Sequence, residues 1–256
     1  MLDPTKRFSN RVQNYLKFRP SYPPGVITVL EAECGLTSDS VVADLGSGTG
    51  ILSELFLKHG NRVIGVEPNR EMRAASDQLL AKYANFSSVD GRAEATTISD
   101  QSIDFVVAGQ SFHWFRRDQA RAQFVRVLKT GGWVAIMWNG FRVESSPINK
   151  AYQRLVLRYG TDYQEVTREI TGLEMESFYA PGSCKAAHFE FRQLFDFEAF
   201  QGRLLSSSYA PEPDHPSYET MLRDLRDIFQ AHQEQGKVTF HYETELYYGQ
   251  LGANGP

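Results

Sequence analysis

Val41-Val42-Ala43-Asp44-Leu45-Gly46-Ser47-Gly48-Thr49-Gly50 is the stretch that decides how this 256-residue chain is read. Its first half is short and apolar apart from Asp44, as in a buried strand. Three glycines at alternate positions follow at once. Ile51, Leu52, Leu55 and Phe56 then recur at helical spacing, and Gly60 supplies a stop after His59. Glycines between a strand and a helix permit positive φ and let backbone approach a ligand closely. In an open α/β sheet such a loop lies at the carboxyl edge of the strands, where ligands bind.

Working outward, Arg62–Val66 reads as a second strand, ending at Glu67-Pro68-Asn69. Met72, Ala75, Leu79 and Leu80 mark a helix, and a weaker strand runs over Phe86–Val89. Ile103–Ala108 is a fully apolar strand. Ala120, Phe124, Val127 and Leu128 give a helix face, Thr130-Gly131-Gly132 a turn, and Trp133–Trp138 another apolar strand. Continuously apolar strands are buried on both faces, as in a parallel sheet flanked by helices. Short buried helices are the alternative, but the runs are short, β-branched and bounded by Gly or polar residues.

Beyond residue 140 the pattern changes. Ile148–Tyr159 and Asp162–Ile170 read as helices and His188–Phe195 as a strand. Met221, Leu222, Leu225, Ile228, Phe229 and His232 lie at helical spacing. Val238, Phe240, Tyr242, Leu246 and Tyr248 alternate with polar residues, which indicates an antiparallel strand. Gly252–Pro256 reads as a frayed tail.

Composition bounds the function. Apolar residues make up 41% and charged residues 23%, an ordinary globular balance. Lys+Arg is 27 against Asp+Glu 31, a net charge of −4, which argues against a dedicated nucleic-acid binder. Cys34 and Cys184 are too few for a disulfide framework or a zinc site and suit a reducing compartment as buried small hydrophobes. No apolar run approaches the roughly 18 residues of a membrane helix. Met1–Phe18 is polar and basic, without the apolar core of a secretory signal. The six histidines show no metal-ligand spacing. The expectation is a cytoplasmic protein with neither membrane nor nucleic-acid partner and no metal.

Three chemistries use a glycine loop in this place. A phosphate-binding loop for nucleoside triphosphates needs Gly-Lys-[Ser/Thr], and no Lys follows before Lys58. The dinucleotide fingerprint needs Gly-x-Gly-x-x-Gly, whereas Ile51 occupies its third slot here. Asp44 would oppose a pyrophosphate but attract an ammonium group, which favours a cofactor with a cationic amine. Glu67, twenty-one positions after Gly46, can accept hydrogen bonds from both hydroxyls of a ribose. A surface carboxylate beside a turn is the plainer reading of Glu67 taken alone.

Residues 41–50 resemble motif I of the class I S-adenosylmethionine (SAM)-dependent methyltransferases. Val66-Glu67-Pro68-Asn69 resembles the next motif. Val127-Leu128-Lys129-Thr130-Gly131-Gly132 resembles the turn before strand five, with Thr130 in place of Pro. The match, over roughly residues 5–140, is similar to the type 11 group that includes ubiquinone-biosynthesis and trans-aconitate-like enzymes. The resemblance implies an α/β, Rossmann-like, doubly wound, mostly parallel seven-stranded sheet with helices on both faces and an antiparallel last strand. It implies one domain over residues 1–256, made of a lid helix (1–24), a SAM-binding core (38–140), a helical insert (141–187) and C-terminal strands with a helix (188–250).

The resemblance also carries roles. Gly46, Ser47 and Gly48 would pass the methionine moiety with Asp44 near its amine. Glu67, followed by Pro68, would hold the ribose. Asp90-Gly91-Arg92-Ala93-Glu94 resembles the adenine-contacting segment, with the Ala93 N–H and the Glu94 carboxylate as contacts. Gly109 and Gln110 would lie beside the methionine and the transferred methyl. SAM would be the cofactor, S-adenosylhomocysteine (SAH) the product, and a small molecule the acceptor, methylated on a carboxylate or hydroxyl oxygen.

A base is needed only where the acceptor must lose a proton. His113, in Ser111-Phe112-His113-Trp114-Phe115, is the candidate, against a structural histidine packed on Trp114. Phe8, Val12, Tyr15 and Leu16 make an amphipathic helix that carries Lys6, Arg7, Arg11, Lys17 and Arg19 against Asp3 alone. Such a basic lid fits the cofactor carboxylate or an anionic acceptor, and a solvated helix face is its plainer reading. Tyr15, Arg19 and Tyr22 are the lid candidates. Phe178–Phe200 is rich in aromatics that suit an acceptor pocket or, more simply, a core. Two other functions compete: a nicotinamide-dependent oxidoreductase and a non-catalytic SAM-binding regulatory domain.

Overall fold

The computed structural model describes residues 11–166 and 171–252. Asp3, Lys6, Arg7 and Phe8 of the basic segment, the end of the helix expected through Ile170, and the tail from residue 253 onward lie outside the described residues.

In chain order, α1 spans Val12–Phe18 and α2 Gly25–Cys34. Then follow β1 Val41–Leu45, α3 Ile51–His59, β2 Arg62–Val66, α4 Arg70–Leu80, β3 Phe86–Val89 and β4 Ile103–Gly109. Next come α5 Arg117–Val127, β5 Leu128–Phe141, α6 Pro147–Tyr159, α7 Tyr163–Val166 and α8 Gly172–Tyr179. The chain continues through β6 Cys184–Phe195, α9 Phe197–Leu205, α10 Tyr218–His232 and β7 Val238–Gly249. The helix starts have local causes: Asn69 accepts from the Met72 N–H, Asp196 from Ala199, and Ser146 caps a helix with Pro147 in its first turn.

The strands form one seven-stranded sheet in the order β3-β2-β1-β4-β5-β7-β6. The first five run parallel, and β7 is antiparallel to both its neighbours. This is the expected fold. One face carries an apolar cluster with α5 and α8, through Ala120, Phe124, Met175 and Phe178. The other carries a cluster with α2 and α3, through Val26, Leu30, Leu52 and Phe56. Buried β1 touches both clusters, hence its unbroken apolar run.

A third apolar cluster lies beyond these, where Phe195, Phe240 and Tyr242 of β6 and β7 meet α6, α9 and α10. The Asn149 amide ties α6 to this region, donating to the carbonyls of Arg142 and His241 at 2.8 Å each. The residues after β5 therefore build a core of their own around the projecting ends of the antiparallel β6–β7 pair.

Four local expectations need correction. Leu128 opens β5 rather than closing the preceding helix. Thr130–Gly132 is a bulge inside β5: pairing jumps from Ile103–Leu128 to Phe105–Trp133, and Gly131 takes φ +80°. The helix expected from Asp162 is described only as the short α7. Helices α2, α8 and α9 were not predicted, because they are short, at eight to ten residues, and their apolar residues do not mark a single helical face.

Candidate active site

A cavity of about 380 Å³ opens at the carboxyl ends of β1, β2 and β4. Thirteen of the fourteen cofactor, lid and base candidates numbered above line it; His113 does not, as described below.

The glycine loop forms one wall. Gly46, Gly48 and Gly50 all take positive φ, at +71°, +56° and +86°. The N–H groups of Gly46 and Ser47 donate to the Val66 carbonyl at 2.8 and 3.2 Å, which stitches the loop to the end of β2. Glu67 is 8% exposed, not a surface carboxylate. Its two oxygens accept the N–H groups of Gly48 at 2.9 Å and Asn69 at 2.8 Å. Each oxygen keeps a further lone pair for another donor. Burial pushes the Glu67 carboxyl above its ordinary value, against the two N–H bonds.

Asp44 is 1% exposed. Its Oδ2 accepts the Ser53 hydroxyl at 2.7 Å, while its buried Oδ1 has no partner among the described residues. Burial, opposed by Ser53 and reinforced by the Glu67 charge, pushes Asp44 up to about 7. The hydroxyls of Ser47 and Thr49 are also buried without partners among the described residues. One acceptor and two hydroxyls thus face a cavity with nothing to bind. Such orphans are costly in a native protein and mark where a polar ligand belongs.

Ala93 and Glu94 line the same cavity, and Glu94 accepts the Arg116 N–H at 2.7 Å. Gln110 sits at φ +56°, held by its amide on the Asn139 carbonyl at 2.8 Å and its N–H on Met137. A non-glycine residue in that region is strained, and strain of this kind gathers at functional sites. Tyr22 is buried with its hydroxyl hard against Gly109.

The basic N-terminal helix divides its charges. Arg11 donates to the carbonyls of Leu205, Ser207 and Ala210 and pairs with Glu212. Lys17 pairs with Glu198 at 2.6 Å. These two fasten α1 to α9 and the segment after it. Phe18 completes the seam, its ring so close to Gly202 that a Cβ there would clash with it. Arg19 is left to line the cavity, with its guanidinium over the Tyr15 ring.

His113 is a correction. A 3-10 turn over Phe112–Trp114 presents Ser111, Trp114 and Phe115 to the cavity and leaves His113 off its lining. Its ring rests on Trp114, with centroids 4.7 Å apart. Most aromatics of Phe178–Phe200 also serve cores, as Phe178, Phe195 and Phe200 do.

Sequence reasoning missed Asn139 and Arg203, both on the cavity lining. Asn139 binds the Ser21 carbonyl and the Thr244 hydroxyl, which joins the lid connection to β5 and β7. Arg203 shares the buried face of α9 with Phe200 and Leu204. A charge on an apolar stripe was the available signal. Elsewhere, His188, Glu243 and Glu245 bring ligand atoms within 4.8 Å of one another on the β6–β7 ladder, off the cavity lining. Among the described residues no helix is long and apolar enough to cross a membrane.

A strand-to-helix glycine loop, an acid at the end of the next strand and a cavity between them define a nucleoside-binding α/β enzyme. Residues 43–136 carry a methyltransferase domain of the class I SAM-dependent type. A family model described as a methyltransferase domain matches residues 43–136. An uncharacterized methyltransferase-like protein of Schizosaccharomyces pombe is 26% identical over 246 residues, covering 94% of both chains. An uncharacterized methyltransferase of Mycobacterium tuberculosis is 34% identical over 137 residues, which span only 54% of either chain. Among solved structures, a protein of Anaeromyxobacter dehalogenans provisionally described as a type II methyltransferase shares the fold. Its TM-score is 0.66 at 19% identity, with 91% of this chain and 98% of that one covered. Geranyl diphosphate C-methyltransferase of Streptomyces coelicolor, solved with SAH, has a TM-score of 0.50 at 13% identity, covering 89% and 76%. The methyltransferase domain decides against the nicotinamide oxidoreductase.

Proposed function

We propose that the enzyme moves the SAM methyl group to an oxygen of a small, anionic acceptor, and that both molecules occupy the cavity described above. The observation that carries this reading is the orphaned, buried Oδ1 of Asp44 beside the glycine loop. A cationic amine is the group it fits. Asp44 then receives the methionine ammonium, and the Ser47 and Thr49 hydroxyls find partners along the same moiety as it passes Gly46 and Gly48. Glu67, with Pro68 beside it, accepts the ribose hydroxyls on its remaining lone pairs. The Ala93 N–H and Glu94 meet the adenine, and Gly109 and Gln110 flank the reacting carbon. Tyr15, Arg19 and Tyr22 close over the site as a lid, with Arg19 facing the cofactor carboxylate.

Bound SAM supplies an activated methyl: the acceptor oxygen's lone pair forms the new C–O bond as the C–S pair returns to sulfur. The chain's own work is orientation and exclusion of water. No histidine lines the cavity among the described residues, and burial holds the Tyr22 phenol well above its ordinary value. Asp44 and Glu67 are committed to the cofactor. With no base left, an oxygen that is already anionic is the fitting nucleophile, so a carboxylate suits better than an alcohol.

Calorimetry with SAM and SAH tests this reading. Binding of both is expected, and absence of binding at millimolar ligand overturns it. Failure to transfer label from SAM to any acceptor in a broad screen of small acids would favour a binding protein without catalysis.

A further inference from the structure

The cavity holds a charge imbalance that cofactor binding alone does not resolve. Arg203 is 4% exposed, on α9, and lines the cavity. Its Nε donates to the Tyr242 hydroxyl at 3.0 Å and its Nη1 to the Ser207 hydroxyl at 3.0 Å. Arg19 reaches the same Ser207 hydroxyl at 3.4 Å and the Ser206 carbonyl at 3.1 Å. One hydroxyl therefore bridges two guanidinium groups. Neither arginine has a carboxylate partner among the described residues. Nη2 of Arg203, and Nη1 and the buried Nε of Arg19, donate to nothing there. The nearby Tyr152 hydroxyl is buried and unpartnered as well.

Two like charges held together without a counter-charge, Arg203 buried and Arg19 half-buried, are a cost to the fold. Arg11, on the same helix as Tyr15, shows the contrast: it has Glu212 and three carbonyls. Burial and the Arg203 charge hold the Arg19 guanidinium below its ordinary value. The imbalance is resolved by two anions. On the reading above, the cofactor carboxylate is one, and it satisfies only one guanidinium.

We propose that Arg203 is the specificity-determining residue of the acceptor subsite, and that it grips a carboxylate of the acceptor while Arg19 takes the carboxylate of the cofactor. The free fork of Arg203 suits a planar oxyanion. The proposal rests on the assignment of the glycine-loop end to SAM. It adds that acceptors are recognised by a carboxylate and that the recognising side chain comes from α9.

The test uses the full chain saturated with SAH, so that failure of SAH to bind indicts the cofactor reading and not this one. Acetate, succinate and inorganic phosphate are the anionic probes, acetamide is the neutral one, and chloride matches the ionic strength. Stabilisation by the carboxylates in a thermal-shift titration, and none by acetamide, is expected. Arg203→Gln should lose at least ten-fold in carboxylate affinity while SAH affinity stays within two-fold. Arg203→Lys, which keeps the charge and guards against a folding defect in the first variant, should fall between. Arg19→Met should show the reverse split, losing SAH first. Carboxylate binding unchanged in Arg203→Gln, or lost together with SAH binding, overturns the proposal. So does a preference for phosphate over both carboxylates, or the absence of any carboxylate effect in protein that binds SAH.

Discussion

The two ends of the cavity are built in different ways. The glycine-loop end is made of backbone and short side chains at the edge of a parallel sheet, and its groups lie close together in sequence. The far end is made of long side chains from α1, α9 and β5, brought together across the chain. The family match stops at residue 136, and the mycobacterial relative aligns over only about half the chain. A cofactor common to many enzymes can be served by a local, repeated device. An acceptor peculiar to one enzyme is met by whatever the later elements place opposite that device. The third apolar cluster makes this practical, since α6, α9 and α10 pack on the β6–β7 pair and not on β1, β2 and β4.

This contrast can be broken experimentally. Phe240 is fully buried at the centre of the third cluster, against Tyr152, Phe195 and Phe200. Phe240→Ala should cost about 3–5 kcal/mol in chemical denaturation. If the two ends are separately supported, the remaining folded protein keeps its SAH affinity and loses acceptor turnover. Equal loss of both would show one undivided core.

Asp44 offers the sharpest test of the cofactor end. Its carboxyl, raised to about 7, binds a proton more tightly in the folded chain than in the unfolded one. Ionisation therefore erodes stability as pH rises from about 4 to about 7, with the full cost present above that. The cost is roughly 4 kcal/mol at the scale of a three-unit shift. Asp44→Asn should raise the melting temperature at pH 8, gain little at pH 4, and abolish SAH binding. In the unsubstituted protein SAH affinity should fall by about ten-fold per unit below pH 7, where Asp44 must give up its proton to receive the ammonium. A flat profile would remove Asp44 from that role. Glu67→Ala should weaken SAH by about 2 kcal/mol, the scale of a lost charge-assisted hydrogen bond. A loss confined to stability would reduce Glu67 to a brace for Gly48 and Asn69.

Gly202→Ala addresses the seam between α1 and α9 within the far end. The added methyl meets the Phe18 ring, and overpacking of this kind costs at least about 1 kcal/mol. The cost should appear as faster amide exchange in α1 with exchange in β1 and β4 unchanged. An unchanged α1 would mean that the helix shifts without loosening.

The sequence was readable where chemistry depends on neighbours along the chain. Asp44 to Gly50, Glu67 and the Ala93–Glu94 pair each follow a strand end, and strand ends are marked by apolar runs that stop. Arg203 was not readable, because its meaning depends on Arg19 and Ser207, which only folding brings to it. His113 stayed open between a base and a structural residue on Trp114 because a 3-10 turn rotates successive residues by about a third of a circle, so one residue's offset decides which side chain faces the cavity. The bulge in β5 was hidden in a glycine pair that reads as an ordinary turn.

At Gly202 the absence of one carbon sets more than a packing distance. The next residue is Arg203, and the ring it admits belongs to Phe18, the neighbour of Arg19. One packing contact therefore sets the spacing of two charges, and the smallest side chain in the seam governs where the two largest cations stand.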